Sequence, residues 1–209
     1  RGLGDVYKRQ IKTLTVDITQ FDQLNTALTL LPDQIDILVN NAGVGFVGNV
    51  EQTEEEDFDR LYQVNVKGVF NCIKVILPRM KKQGGVIVNM ASITAHIAVK
   101  NRFAYTTTKG AVLAMTNAIA KDYIANGIRC NSVSPARVHT PFVDNFLNKN
   151  YPGEEKEMFE NLSQTQPIGR MGKPQEVGDL VLYLCSEEAS FITGTDFPID
   201  GGFIKLNGN

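Results

Sequence analysis

Ile35-Asp-Ile-Leu-Val39, running directly into Asn40-Asn41-Ala42-Gly43, is the stretch on which the fold turns. A short β-branched run that stops at two asparagines and a glycine reads as a buried parallel strand entering a turn. Upstream, Ile11 to Val16 alternates like a strand, and Thr19 to Leu31 then sets Phe21, Leu24, Leu28 and Leu31 at helical spacing. Downstream, Thr53-Glu54-Glu55-Glu56 reads as a capping box whose acidic first turn suits the dipole of a long helix reaching about Met80. Gly84-Gly85 ends that helix, and Val86 to Val88 forms the next strand, leading to Ser92. A helix over Phe103 to Ala125 closes on Asn126-Gly127 and gives way to a strand over Ile128 to Val133. Pro141 to Pro167 is polar, with short helical pieces, and suits a mobile lid. A helix over Pro174 to Ser186 and a strand over Gly194 to Asp200 complete the chain. Strands alternating with helices define an α/β chain with a parallel sheet.

The 209 residues, 43% hydrophobic and 21% charged, suit one domain with a sizeable core. Twenty-one basic against 23 acidic residues leave a net charge of −2, which gives no electrostatic footprint for nucleic acid or an anionic membrane and favours a small-molecule partner. No apolar stretch approaches a membrane span, and no apolar signal-peptide core opens the chain, so a soluble protein is expected. Cys72, Cys130 and Cys185 are odd in number and far apart, which suits neither a disulfide framework nor a zinc site. They read as reduced packing residues of a cytoplasmic protein with no metal. Asp5 to Gln10 is what the codons GAT GTG TAT AAG AGA CAG encode, a transposase end used in library preparation. Residues 1–10 are therefore expected to be a translated adapter, leaving 11–209 as a single domain without its natural first segment.

Gly43-Val-Gly45-Phe-Val-Gly48 matches G-x-G-x-x-G after a strand, yet the reading as a dinucleotide phosphate loop fails. That loop needs glycines that open a helix, whose N-terminal amides then hold the pyrophosphate. Here the helix begins later, and Glu54, Glu55 and Glu56 in its first turn repel phosphate.

Tyr105 and Lys109 lie four residues apart, hence one turn apart on one helix face. An ammonium beside a phenol stabilises the phenolate, which suits proton transfer to or from an alcohol. Ser92 follows a strand, where open α/β sheets place ligands, and its hydroxyl can polarise a carbonyl. The G-x-S-x-G elbow of a serine hydrolase is absent around it. Asn65 sits inside a long helix where asparagine is a poor former, either as an exposed polar residue or for a reason the helix itself does not supply.

Taken together, Asn40 to Gly43, Asn65, Ser92, Tyr105-x-x-x-Lys109, Pro135 with Thr140, and Ile199-Asp-Gly-Gly202 resemble the short-chain dehydrogenase/reductase family over residues 11 to about 204. The resemblance implies a doubly wound, Rossmann-like sheet in three α/β/α layers, lacking its first βα segment. It makes Tyr105 the acid/base, Lys109 the group that lowers its pKa and holds the nicotinamide ribose, Ser92 the residue that orients the substrate oxygen, and Asn65 part of a water-linked proton relay. Asp17 and Ile18 are implied at the adenine, Asn41, Ala42 and Gly43 at the adenosine ribose, and Pro135, Val138 and Thr140 beside the nicotinamide. Ala136 stands where the family usually has glycine.

The segment Val99-Lys-Asn-Arg102 resembles the branch that acts on short hydroxy acids and deoxy-sugar acids, including hydroxybutyrate and 2-keto-3-deoxy-L-fuconate dehydrogenases. It makes Arg102 a candidate carboxylate anchor. Arg137, His139 and Arg170 are either pocket residues or solvated loop residues, and His96 is either a pocket or a surface histidine. The expected cofactor is NAD, with NADP open, because the segment that selects between them is not present. The competing readings are an NADPH-dependent 3-oxoacyl-carrier-protein reductase and a non-catalytic nucleotide-binding regulator. The family also implies a homodimer or homotetramer. The alanines at 111, 114 and 118 permit close helix packing between subunits and equally permit packing on the sheet.

Overall fold

The computed structural model describes residues 13–206. The expected adapter at residues 1–10 lies outside the described residues. Four strands, β1 (Ile37–Asn40), β2 (Gly85–Met90), β3 (Ile128–Pro135) and β4 (Asp196–Ile199), form one all-parallel sheet in the order β1-β2-β3-β4. Helices cover both faces. On one, α3 (Gly68–Met80) and α4 (Phe103–Tyr123) bring Val69, Ile73, Val112 and Ala120 onto Ile87, Ile128 and Cys130. On the other, α7 (Pro174–Cys185) sets Leu184 against Val88 and Val133. Ile87 and Val88 are successive residues, both fully buried, because neighbouring strand side chains point to opposite faces and both faces are covered. The sheet is thus the middle layer of a three-layer, Rossmann-like α/β/α fold.

Several local expectations are corrected. Thr13 to Val16 forms no strand, because an extended segment needs a neighbour to complete its hydrogen-bond ladder and none runs beside it among the described residues. Val16 instead packs on the cluster of Leu24, Leu28 and Val75 that joins α1 (Phe21–Leu28) to α3. The helix expected over Thr19 to Leu31 is shorter, since its last turn tightens (Leu30 N to Ala27 O, Leu31 N to Leu28 O, both 3.0 Å) ahead of Pro32. Thr53 does not cap the next helix. Its hydroxyl donates to Asn49 O at 2.6 Å, while Asn49 and Gln52 exchange reciprocal side-chain to backbone bonds of 3.0 and 3.1 Å.

The long helix to Met80 is in fact two, α2 (Glu55–Tyr62) and α3, joined by a π-helical turn over Gln63–Lys67. Such turns recur at functional sites. This one holds Asn65, whose side chain is almost fully buried. The region read as a lid folds as α5 (Pro141–Asn150) and α6 (Glu155–Gln164), and a short α8 (Phe203–Leu206) follows Gly201-Gly202.

Candidate active site

A cavity of about 780 Å³ opens at the carboxyl ends of β1, β2 and β3, where the strands hand over to loops. Asn41 and Gly43 line it from beyond β1, Ser92 and Thr94 from beyond β2, Pro135, Val138 and Thr140 from beyond β3, and Arg102, Tyr105 and Lys109 from the start of α4. Asn65 lies behind the wall. Its Oδ1 accepts from Val44 N at 2.8 Å, and its Nδ2 donates to Val44 O at 2.9 Å and to Thr108 Oγ1 at 3.1 Å. The π-turn that makes this reach possible ties the loop after β1 to α4. Gly43 completes the joint, because a Cβ there would stand 3.3 Å from Asn65 Oδ1 and 3.6 Å from Lys109 Nζ.

Asp17, Ile18 and Ala42 do not reach the cavity wall. Asp17 is exposed and accepts from Thr19 N at 2.9 Å. Ile18 packs on α3, where a Cβ at Gly68 would come within 2.6 Å of it. Asn71 holds this turn by donating to Ile18 O at 2.9 Å, a fully buried residue the sequence reading passed over because it sits on the helix as an ordinary polar position.

Ser92, buried, begins a short 3₁₀ turn and accepts from Thr94 N and Thr94 Oγ1 at 3.3 and 3.2 Å. Burial pushes the Tyr105 phenol above the usual tyrosine range, opposed by a hydrogen bond with Ser92 and by the positive charge of Arg102. Arg102 is one cation whose charge acts on the phenol, and Lys109 is a second cation beside it. Lys109 lies over the Tyr105 ring, 5.7 Å from its centroid, and donates to Met90 O at 2.7 Å. Burial lowers its pKa from 10.5 to about 8. Because the folded value lies below the unfolded one, the charged ammonium destabilises the fold up to about pH 8, and that penalty fades as pH rises toward 10.5. Denaturant unfolding is therefore expected to show the wild type gaining about 3 kcal/mol on Lys109→Met between these pH values. A pH-independent difference would mean that Lys109 is not desolvated.

The Gly-x-Gly-x-x-Gly stretch opens no helix, which starts only at Glu55. Its last glycine serves Arg102 instead. Gly48 N donates to Asn101 O at 2.8 Å and Phe103 N to Gly48 O at 3.2 Å, while Asn101 adopts φ +60°, a left-handed conformation that asparagine tolerates. Arg102 Nη1 then donates to Phe46 O at 3.1 Å.

The other cationic candidates divide. Arg137 lines the cavity, but His139 turns to Asp144 at 2.9 Å, and Arg170 forms a bidentate pair with Glu176 at 2.7 and 2.8 Å, outside the main cavity. His96 is not in the wall either. It binds Asp196 at 2.7 Å, and that carboxylate also accepts from Ser132 and Ser134, so the loop after Ser92 is tied to β4. Ala136 has an ordinary φ, so its methyl costs the loop no backbone strain. Cys130 is fully buried, which pushes its thiol up to about 12 and leaves it a packing residue.

The sequence model of a family described as enoyl-(acyl carrier protein) reductase matches residues 3–204. The chain is 37% identical to a 2-keto-3-deoxy-L-fuconate dehydrogenase of Xanthomonas campestris over 92% of its own length and 64% of that protein's. It is 39% identical to dehydrogenase/reductase SDR family member 6 of Danio rerio, over 92% of this chain and 78% of the relative. Among solved structures, aldohexose dehydrogenase of Thermoplasma acidophilum superposes with a TM-score of 0.88 at 35% identity, over 94% of this chain and 80% of that one. L-sorbose reductase of Gluconobacter frateurii, complexed with NADPH and L-sorbose, superposes with a TM-score of 0.85 at 26% identity, over 91% and 76% of the two chains. The chain belongs to the short-chain dehydrogenase/reductase family.

Proposed function

We propose that the full-length protein is a nicotinamide-dependent oxidoreductase that interconverts a secondary alcohol and a ketone in a small hydroxy acid or sugar acid, with NAD as the first nucleotide to test and NADP as the second. The observation that carries this reading is that Tyr105, Ser92, Arg102 and Lys109 share the wall of one cavity at the carboxyl ends of the strands, with the Lys109 ammonium over the Tyr105 ring. The cavity wall fits an anionic nucleotide and an acid substrate. Among the described residues it carries Arg102, Lys109 and Arg137 and no carboxylate, and the glycine at 43 leaves open the space above Asn65 and Lys109.

In this reading Asn41, Gly43, Lys109, Pro135, Val138 and Thr140 hold the cofactor, and Ala42, Asp17 and Ile18 border its adenosine end. A bound nicotinamide supplies the hydride acceptor or donor. Tyr105 takes the proton of the substrate hydroxyl during oxidation and returns it during reduction. Ser92 holds the reacting oxygen, and Arg102 grips the substrate carboxylate. Lys109, partly deprotonated near pH 8, passes the proton onward, with Asn65 positioning the loop through which water reaches it. The retention of this proton-transfer apparatus weighs against a non-catalytic nucleotide-binding regulator.

A second reading is an NADPH-dependent 3-oxoacyl-carrier-protein reductase; the matched family's description, enoyl-(acyl carrier protein) reductase, shares with it only the carrier-bound acyl substrate. An absorbance screen at 340 nm on the full-length protein separates the two, with NAD and NADP each tested against sugar acids, short hydroxy acids and 3-oxoacyl thioesters. Turnover of acids is the expected result. Turnover confined to thioesters with NADPH would assign the carrier reductase instead.

Self-association as a homodimer or homotetramer belongs to the same proposal. On α4 the sheet takes Val112, Thr116 and Ala120, while Ala114 and Ala118 are exposed, so those alanines are not explained by packing on the sheet. Tyr62 and Phe70 are exposed on the neighbouring helices α2 and α3. Sedimentation of the full-length protein as a monomer alone would remove this part of the proposal.

A further inference from the structure

Two arginines reach the cavity from different strand ends, and neither is neutralised. Arg102 comes from the loop before α4, anchored by Phe46 O, and Arg137 from the loop after β3, anchored by a 3.1 Å bond from its Nε to Thr165 Oγ1 and by Gly172 N donating to its carbonyl at 2.9 Å. Both are half-buried and both line the cavity. The remaining arginines show what a structural arginine does in this fold. Arg79 and Arg129 each donate to three backbone carbonyls, and Arg60 and Arg170 pair with Asp57 and Glu176. Among the described residues no carboxylate lies within ion-pair distance of Arg102 or Arg137. They also feel each other, since burial and then the charge of Arg102 both lower the pKa of Arg137. Holding two half-buried guanidiniums so that they repel is costly unless anionic groups arrive to offset them.

We propose that the natural substrate carries two anionic groups, a carboxylate near the reacting carbon held by Arg102 and a second carboxylate or a phosphate held by Arg137. This rests on the hydroxy-acid reading of the site and narrows it. A carboxylate held bidentately by Arg102 has both oxygens engaged with that fork, and Arg137 is anchored on a different loop, so a substrate with a single acid group leaves it without an anion of its own. Lys109, the remaining cation in the wall, lies over the Tyr105 ring and is engaged with Met90 O.

The test uses the full-length protein and matched substrates that share a skeleton: lactate against malate, 3-hydroxybutyrate against 3-hydroxyglutarate, and gluconate against 6-phosphogluconate. The wild type is expected to prefer at least one doubly charged member by about thirtyfold or more in kcat/KM. Arg137→Gln is expected to shrink that preference by about thirtyfold, the loss of charge-assisted bonds to one anion, and Arg137→Lys to restore part of it. Whether the dicarboxylates or the phosphate ester show the preference identifies the second group. A wild type that turns over singly charged acids as well as doubly charged ones overturns the inference without any variant. So does an unchanged preference in a folded Arg137→Gln protein, or a rise in nucleotide KM alone, which would assign Arg137 to the cofactor. In those cases the hydroxy-acid reading stands. Turnover of thioesters or neutral ketones with no acid accepted overturns both.

Discussion

Tyr105→Phe in the full-length protein is expected to lower kcat by about 10³-fold or more while nucleotide binding changes little. The substitution removes one oxygen and keeps the ring, so the packing of α4 against the cavity is preserved and the loss falls on chemistry. Three observations set the size of the effect. The phenol shares the cavity wall with Ser92, so its removal leaves the serine hydroxyl alone to meet the reacting oxygen. Among the described residues no other phenol, carboxyl or imidazole lines the cavity to take over the proton, and Lys109 is turned to Met90 O. Lys109 itself is untouched, so binding of NADH, followed by fluorescence titration, is expected to stay within a few fold. Turnover that survives the substitution would sink the assignment of Tyr105. Turnover lost together with nucleotide binding would point instead to a collapsed site.

Arg102→Ala is expected to cost about 10² to 10³ in kcat/KM for acid substrates, with a far smaller effect on neutral ketones. The backbone of its segment is held independently by Gly48 and Asn101, so the side chain can be removed without undoing the loop. The same variant carries a second, separable signature. Arg102 holds the Tyr105 phenol below the value that burial alone would impose. Without that charge the phenol gives up its proton only at higher pH, so the limb of the kcat profile that depends on phenolate shifts upward in pH. An arginine that served only as a surface contact would change neither the acid-to-ketone ratio nor the profile. The same steady-state assay, run across pH with one acid and one neutral ketone, reads both.

Much of this arrangement is legible in local pattern. Val86 to Val88 and Ile128 to Val133 read as strands because both faces of a central parallel strand are buried and the apolar run is continuous. The pairing of Tyr105 with Lys109 follows from helical periodicity, and the Gly43 to Gly48 fingerprint fails because the helix that follows it is capped by Glu54 and carries Glu55 and Glu56 in its first turn. The errors lie where a partner decides. Thr13 to Val16 has the alternation of a strand but no neighbouring strand among the described residues, and Thr53 has the spacing of a cap but a closer acceptor in Asn49 O. Asn65 was visible as a misfit in its helix, yet only the π-turn and the loop at Val44 explain it.

By itself, then, the sequence determined the alternation of strands and helices from β1 onward, the limits of α4 and α7 to within two residues, and which residues around the end of the second strand offer proton-transfer chemistry. These are short-range properties, set by periods of two and 3.6 residues and by the chemistry of glycine, proline and asparagine. Which cation faces which group was decided only by the tertiary structure. Arg170 and His139 are drawn off to Glu176 and Asp144, Arg102 joins Lys109 beside Tyr105, and Arg137 lines the same cavity with no carboxylate within ion-pair distance among the described residues. The groups involved arrive on loops from three different strand ends, and their separations depend on how those ends are stacked in the sheet, a quantity that no local period in the chain encodes.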